Sequence, residues 1–159
     1  MRPCPVDERP RFVADEMFGS LAKWLRIMGY DTLYERDTTD DEIIERLGSS
    51  GRVLLTRDKV LAKRTEGHSI YIISDDVDEQ VRQTTEAFQL VFDEGRTRCA
   101  ICNGELSIIS REDAAPHVPP RSLAMADRFY RCGHCQKTYW NGTHWKNIQD
   151  RMEELTGSR

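Results

Sequence analysis

Two pairs of closely spaced cysteines are the strongest chemical signal in this sequence. Cys99 and Cys102 form one CxxC motif, Cys132 and Cys135 form a second, and 29 residues separate the two motifs. Four thiolates supplied by two such turns make a closed tetrahedral shell, the usual arrangement of a structural zinc site. A redox-active CxxC is the alternative, but two separate pairs favour metal binding. Because a four-cysteine shell has no open coordination position, we expect the zinc to be structural and the fifth cysteine, Cys4, to be a free thiol.

Aspartates at the ends of predicted strands are the second candidate for chemistry. Asp15 and Asp58 directly follow short apolar runs, Asp75 or Asp76 follows another, and Asp40 lies in the first turn of a predicted helix. If the strands are parallel, their C-terminal ends share one edge of the sheet, and the carboxylates converge there. Carboxylates gathered in one pocket repel each other unless a cation lies between them, and Mg²⁺ or Mn²⁺ suits such oxygen ligands. Each aspartate alone is explained about as well as the N-cap of the following helix, so both interpretations stay open.

Basic and aromatic residues are the candidates for nucleic-acid contact. Arg57 and Lys59 flank Asp58, where they are placed to meet a phosphate, although solvated surface cations fit the pattern at least as well. Near the second CxxC motif, basic residues alternate with aromatic ones, a pattern typical of surfaces that stack bases and pair phosphates of single-stranded nucleic acid. The alternative is that the aromatic residues fill a small core. The contacts predicted there are Arg131, His144, Trp145 and Lys146.

The elements that must position these residues alternate between strand and helix. Apolar runs predict strands over residues 11–14, 32–34, 52–56 and 70–74, and a helical pattern follows each one. Thr39 and Glu42 have the spacing of a capping box, which starts the second helix. Such alternation predicts an α/β fold with a mostly parallel sheet covered by helices on both faces. Further helices are expected over residues 77–88 and 148–155.

Charge divides the chain near residue 95. Residues 1–95 carry 13 Lys and Arg against 20 Asp and Glu, a net charge of −7, whereas residues 96–159 carry 10 against 7, a net charge of +3. A metal-collecting domain over residues 11–95, followed by a zinc ribbon over 96–159 that attracts anions, fits this division, as does chance variation on solvated surfaces. Residues 1–10 are predicted to be a flexible leader. This leader lacks the apolar region of a signal peptide, and no apolar run approaches the ~20 residues that span a bilayer, so we expect a cytoplasmic protein without membrane contact.

Taken together, these stretches resemble the Mut-seven C-terminal ribonuclease family, in which a PIN-like domain precedes a zinc ribbon. The resemblance covers roughly residues 11–155 and rests on FVADEMFGSLAKWLRIMGYD, TTDDE, VLLTRDKVLAKR and CAIC…CGHC…YWNGTHW, in that order. It implies a PIN-like three-layer α/β/α sandwich and a Mg²⁺- or Mn²⁺-dependent endoribonuclease. The family's acids fall on Asp15, on Asp40 with Asp41 as a substitute, and on Asp58. The fourth acid of a PIN-type site would be Asp75 or Asp76.

Three functions follow as hypotheses. The first is a ribonuclease that cleaves RNA phosphodiesters at an aspartate-held metal site, with the zinc ribbon orienting the RNA. The second is a non-catalytic RNA- or ribosome-binding module of the same fold, and the third is a scaffold whose ribbon docks a protein partner. The RNA target, the cleavage preference and the oligomeric state are not specified by the sequence.

Overall fold

A four-stranded parallel sheet organises the first half of the chain in the computed structural model, which describes residues 9–157. The strand order is β2-β1-β3-β4, and every neighbouring pair runs parallel. The sheet therefore confirms the predicted mixed α/β class with a parallel sheet. Its strands are β1 (Phe12–Ala14), β2 (Thr32–Tyr34), β3 (Val53–Thr56) and β4 (Ser69–Tyr71).

Helices cover both faces of this sheet. One face packs on α1, α4 and α7, and the other packs on α2 and α3. None of the helices in residues 9–157 has the length and apolar character needed to cross a membrane. The helices beside the sheet are α1 (Gly19–Ile27), α2 (Asp40–Ser50), α3 (Lys59–Arg64), α4 (Val77–Phe88) and α7 (Thr143–Thr156).

The central strand β1 shows why the sheet has two cores. Phe12 and Ala14 belong to the cluster beneath α1, α4 and α7, whereas Val13 belongs to the cluster beneath α2 and α3. All three side chains are fully buried. Successive side chains of a strand point to opposite faces, so a continuous apolar run is what a strand covered on both sides requires.

A second, antiparallel sheet carries the cysteines. Its strand order is β5-β6-β7, and Phe129 of β6 packs with Ala114, Val118 and Ala126 in a small core of its own. We call residues 96–142 the cysteine ribbon. Its elements are β5 (Leu106–Ile109), α5 (Arg111–Ala114), α6 (Pro120–Met125), β6 (Phe129–Cys132) and β7 (Thr138–Trp140).

The fourth strand is shorter than predicted. A strand was expected over residues 70–74, but β4 ends at Tyr71. Side-chain amides of α4 form hydrogen bonds with the backbone groups near this end. Gln83 accepts from Ile73 N at 3.0 Å and donates to Tyr71 O at 2.7 Å, and Gln80 donates to Ser74 O at 3.1 Å. No strand of the described chain lies beyond this edge, so these helix residues satisfy groups that a neighbouring strand would otherwise pair.

The C-terminal helix returns to the first sheet. It begins at Thr143, five residues before the predicted start, and Met152 and Leu155 enter the core formed by α1, α4 and β1. Met152 is fully buried. Residues from the predicted second domain thus complete the core of the first, and the division at residue 95 stays a prediction. Of the predicted leader, residues 1–8 lie outside the described residues.

Candidate metal centre and carboxylate edge

The four cysteines come together at the tips of the two CxxC turns. All four Sγ atoms lie within 4.8 Å of one another, with Cys99 Sγ 3.6 Å from Cys135 Sγ and Cys102 Sγ 3.4 Å from Cys132 Sγ. A tetrahedron built on Zn–S bonds of about 2.3 Å has edges of about 3.8 Å. The sulfur spacing therefore fits a tetrahedral zinc ion, as the sequence predicted.

Backbone amides favour the thiolate form at this cluster. Burial by itself raises the pKa of Cys132. Hydrogen bonds act more strongly in the opposite direction: the N–H groups of Cys135 and His134 donate to Cys132 Sγ at 3.4 and 3.3 Å, and the thiols of Cys102 and Cys135 add further hydrogen bonds. The pKa of Cys132 therefore falls to about 6. Burial, followed by the hydrogen bond with Cys132, raises the pKa of Cys102 to about 12. The pair therefore shares one proton, and a bound metal ion would replace it because thiolate is the ligating form.

Tyr139 of β7 supports the cluster from the ribbon. Its hydroxyl oxygen lies 2.9 Å from Cys99 Sγ. Burial and the adjacent Cys99 raise the pKa of Tyr139 well above its ordinary value, so the phenol keeps its proton and can donate a hydrogen bond to Cys99 Sγ when that sulfur is a thiolate. Such a bond orients a ligand in the way that outer-shell donors do at metal sites.

Gly104 leaves the space that the sulfurs occupy. A Cβ placed there would lie 2.6 Å from Cys132 Sγ and 3.2 Å from Cys102 Sγ. These distances fall below normal van der Waals contact, so no larger residue fits without moving a ligand. The glycine is part of the metal centre for a steric reason.

A buried arginine ties the first cysteine turn to the parallel sheet. Arg26 of α1 donates to Thr32 O at 2.9 Å, to Ala100 O at 3.0 Å and to Ile101 O at 3.4 Å. Burial lowers its pKa, while the nearby Cys102, Cys99 and Asp31 act in the opposite sense. This role was not predicted from the sequence, because a cation in the last turn of a helix is ordinarily explained by the helix dipole.

Asn103 is the second link between the two sheets. Its side chain accepts from Thr32 N at 3.0 Å and donates to Asp31 Oδ1 at 2.7 Å, and Asp31 also receives a bidentate hydrogen bond from Arg52 at 2.9 and 3.0 Å. Burial acts to raise the pKa of Asp31, but the donors Arg52 and Asn103 outweigh it and hold the pKa below its ordinary value. Asn103 has φ 68°, a left-handed conformation that Asn tolerates better than most residues, and this local preference was the available sequence signal.

Asp15 and Asp58 lie on the same edge of the parallel sheet, joined through Thr56. The Thr56 hydroxyl donates to Asp15 Oδ2 at 3.0 Å and accepts from Asp58 N at 3.0 Å. Asp15 Oδ1 also accepts from Glu16 N at 2.8 Å, and Asp58 Oδ1 accepts from two amides in the first turn of α3. Both aspartates therefore cap a helical turn, as one of the two interpretations expected. Capping leaves each carboxylate with unused acceptor capacity, since an ionised carboxylate offers about four lone-pair sites.

Glu35 is an additional acid of this edge that the sequence analysis missed. Parallel register pairs Ala14 with Tyr34, so the next residues, Asp15 and Glu35, stand side by side. Glu35 N donates to Ala14 O at 3.0 Å, and its half-buried carboxylate pairs with Arg46 of α2 and accepts from the Thr38 hydroxyl. The signal was available, because Glu35 directly follows a predicted strand just as Asp15 does.

The remaining predicted acids lie at helix starts. Asp40 is exposed in the first turn of α2, beyond the capping box that Thr39 and Glu42 form as predicted. Asp41 is paired with Arg64 at 2.9 Å. Asp75 and Asp76 are both exposed and follow the end of β4 by four and five residues; Asp76 caps α4 by accepting from Glu79 N at 3.1 Å. Among residues 9–157, the four cysteines are the single cluster of three or more His, Cys, Asp or Glu side chains arranged to hold a metal ion, so these acids do not form one.

The predicted nucleic-acid contacts fall in two regions. Arg57 and Lys59 lie beside Asp58, with Lys59 exposed. The others belong to the ribbon and the start of α7: Arg131 donates to Asp113 O at 2.9 Å, His144 and Lys146 are exposed, and the half-buried Trp145 donates to Glu94 at 3.0 Å.

Comparison with known protein families finds a match to the Mut7-C RNAse domain over residues 10–152 of the 159. Searches of curated proteins and of solved structures find no match. The matched range contains both the parallel sheet with its carboxylate edge and the cysteine ribbon. The chain belongs to the Mut7-C RNAse domain family.

Proposed function

We propose that this protein is a metal-dependent endoribonuclease that cleaves RNA phosphodiesters at the carboxylate edge. The observation that carries the proposal is the link from Asp15 through Thr56 to Asp58, in a chain whose family is described as an RNase domain. Acids that stand at the C-terminal ends of parallel strands occupy the position where α/β proteins bind their ligands. The three layers and the parallel sheet are in keeping with a PIN-like fold, which we include in the proposal.

In this proposal Asp15, Asp58 and Asp40 hold the catalytic metal, with Glu35 as the adjacent acid and Asp75 or Asp76 as the fourth of a PIN-type site. Because these carboxylates are not grouped as a metal cluster in residues 9–157, binding an ion requires them to come closer together. The donor set consists of carboxylate oxygens, the ligands that Mg²⁺ and Mn²⁺ prefer. Such an ion, when bound, would offset the charge of a phosphodiester and lower the pKa of water. Thr56 orients Asp15 by donating to it, and Arg57 and Lys59 are placed to attract the phosphate.

The cysteine ribbon and the start of α7 would assist by binding RNA. The proposed contacts are Arg131 of the ribbon and His144, Trp145 and Lys146 of α7; the Trp145 indole also donates to Glu94. Zinc in the four-cysteine cluster would keep the ribbon folded, since a closed thiolate shell has no catalytic position. A non-catalytic RNA-binding module is the second candidate, and the capping hydrogen bonds of Asp15 and Asp58 favour it because they give both acids a structural reason to be present.

The deciding experiment measures cleavage of a labelled single-stranded RNA by the full chain with added Mn²⁺. Asp58→Asn removes the charge but keeps an N-cap, so the fold should hold while cleavage falls at least 100-fold. Asp15→Asn should behave in the same way. Asp93→Asn is the matched control, since Asp93 also caps a helical turn but lies away from the carboxylate edge, and it should cleave at the parent rate.

Three results are distinguishable. Loss of cleavage in both edge variants, with the control and the melting temperature unchanged, supports the ribonuclease. RNA binding without cleavage in the parent chain would favour the second candidate. Equal cleavage by the parent and both edge variants would contradict the assignment of these aspartates.

A further inference from the structure

A basic cleft opens between the N-terminal edge of the parallel sheet and the cysteine ribbon. It has a volume of about 570 Å³, within the range of small-ligand pockets. Its walls are the segments just before β1 and β2, the chain that enters the first cysteine turn, and the start of β5. Neither the family description nor the proposed carboxylate edge accounts for this cleft.

The cleft carries more positive than negative charge. Arg9, Arg11, Arg96 and Arg98 line it, against Asp31 and Glu105. Asp31 is already engaged by the bidentate hydrogen bond from Arg52 described above. Within residues 9–157, Arg96 is the one arginine of the four with a carboxylate in ion-pair distance, at 3.3 Å from Asp93. The other three have no carboxylate in ion-pair distance within those residues, although Arg11 donates to Ser50 O and Arg98 donates to Asn103.

Arg9 is held in place before any ligand arrives. Its guanidinium lies 4.1 Å from the ring centroid of Tyr30, a cation–π contact. The Tyr30 hydroxyl is fixed in turn, since it donates to Val91 O at 3.1 Å and accepts from Val91 N at 2.9 Å. Yet Arg9 Nη2 is buried and has no hydrogen-bond acceptor among the described residues. A buried charged donor without an acceptor is costly, so its retention points to an anion that completes the site.

We propose that this cleft binds phosphoryl groups, with the phosphodiester backbone of single-stranded RNA as the source. Arginine recognises phosphate through paired N–H donors, and several arginines around one cleft provide such donors from more than one side. The choice of RNA over a free nucleotide rests on the proposed ribonuclease function. The cleft lies at the opposite end of β1 from Asp15, and the four residue steps from Arg11 to Asp15 span about 13 Å. The bound part of the strand is thus remote from the bond that would be cut.

The test compares two double variants of the full chain in buffer without added Mg²⁺ or Mn²⁺. Arg9→Ala with Arg96→Ala empties one side of the cleft while keeping Asp15 and Asp58. Arg82→Ala with Arg121→Ala removes the same charge from positions outside it, of which Arg82 is half-buried and Arg121 is exposed. Binding of a fluorescent single-stranded RNA with a 5′ hydroxyl is followed by anisotropy over a range of salt concentrations, and AMP and inorganic phosphate are titrated separately. Circular dichroism and melting temperature report folding.

The cleft variant should bind the RNA at least about tenfold more weakly, because it loses the charged hydrogen bonds that two arginines donate to phosphate. Its salt slope should fall by about 1.4, the value for two phosphates of a single strand, whereas the control should keep both values. If the cleft variant loses binding of AMP or phosphate but still binds RNA like the parent, the phosphoryl site is supported and its ligand is a free phosphate monoester. The single variant Arg9→Lys keeps the charge but loses the fork of donors. It should bind RNA more weakly than the parent and more tightly than the single variant Arg9→Ala.

Equally weakened RNA binding in the two double variants would overturn the cleft proposal, since the loss would then follow from net charge alone. Unchanged binding of RNA, AMP and phosphate in a folded cleft variant would do the same. These outcomes are separate from the fate of the ribonuclease proposal. If the parent chain binds RNA through the cleft but cleaves none, the cleft proposal stands and the ribonuclease proposal fails. A cleft variant that binds RNA, AMP and phosphate like the parent, and also cleaves RNA like the parent, would give the reverse.

Discussion

Replacing Gly104 with alanine tests whether the four cysteines hold zinc in the geometry described. The added Cβ would stand 2.6 Å from Cys132 Sγ, and ordinary contact begins at 3.4 Å, so the sulfur must move by about 0.8 Å. Zinc–ligand distances are reproduced to within about 0.2 Å at functional sites. We therefore expect Gly104→Ala to lose Cys132 as a ligand.

The expected loss of zinc affinity follows from the part of the zinc-binding free energy that one of the four ligands contributes. Structural zinc binding in small domains amounts to about 10–16 kcal/mol, so one of four ligands contributes about 3 kcal/mol. This corresponds to about 100-fold weaker zinc binding. The measurement is a competition titration with a chromophoric zinc chelator, together with the metal content of the purified chain by mass spectrometry.

Gly48→Ala is the matched control for this change. Gly48 lies in α2, and a Cβ there would meet no atom within 4 Å, so zinc binding should be unaffected. Alanine in place of an exposed helical glycine should instead raise the free energy of unfolding by about 0.5–1 kcal/mol. Zinc binding by Gly104→Ala that is as tight as zinc binding by Gly48→Ala would refute the steric role of Gly104.

Three further predictions concern the stability of the fold. Asn103→Ala leaves the buried Thr32 N–H without its acceptor and should lower the free energy of unfolding by about 1–3 kcal/mol, measured by urea denaturation. Met152→Ala should cost about 2–5 kcal/mol in the same assay, because this fully buried residue of α7 packs in the core beneath α1. The lowered pKa of Asp31 means that the unfolded chain binds its proton more readily, so this contribution is present above the ordinary value of 3.8 and is lost as the pH falls through the folded pKa. Asp31→Asn should therefore flatten the acid limb of a stability–pH curve, and Arg52→Met should do so as well.

Each of these has a contrary outcome. Parent-like unfolding of Asn103→Ala would mean that water replaces the amide oxygen at Thr32. Parent-like unfolding of Met152→Ala would show that α7 is detached from the sheet in solution. An acid limb with the same slope in Asp31→Asn would place the relevant protonation elsewhere.

Local patterns predicted much of the architecture. Buried runs such as Val53–Thr56 identified strands, because a strand covered on both faces must be apolar throughout. The capping box of Thr39 and Glu42 located the start of α2, because its hydrogen bonds form within one helical turn. The end of β4 was misplaced for the opposite reason: the amides that end it come from Gln80 and Gln83, on a helix that follows in the chain.

In the candidate site, too, local patterns were predictable from the sequence and long-range contacts were not. Cys99 and Cys102 identified a metal ligand pair from sequence because a CxxC turn fixes both thiols through its own backbone. No local pattern indicates that Arg26 reaches Ala100, 74 residues away. The cation–π contact of Arg9 with Tyr30 likewise joins residues that no common helix or strand brings together.

The sequence by itself determined the four strands of the parallel sheet and the helices that follow them, the start of α2, and that four thiols can bind one metal ion. Each of these depends on interactions within a few residues, so the order of residue types is enough to specify them. Only the tertiary structure decided that Glu35 stands beside Asp15, that α7 closes the first core, and that four arginines face one cleft. Those arrangements depend on strand register and long-range packing, in which residues far apart in the chain become neighbours because burying their elements together lowers the free energy of the whole fold.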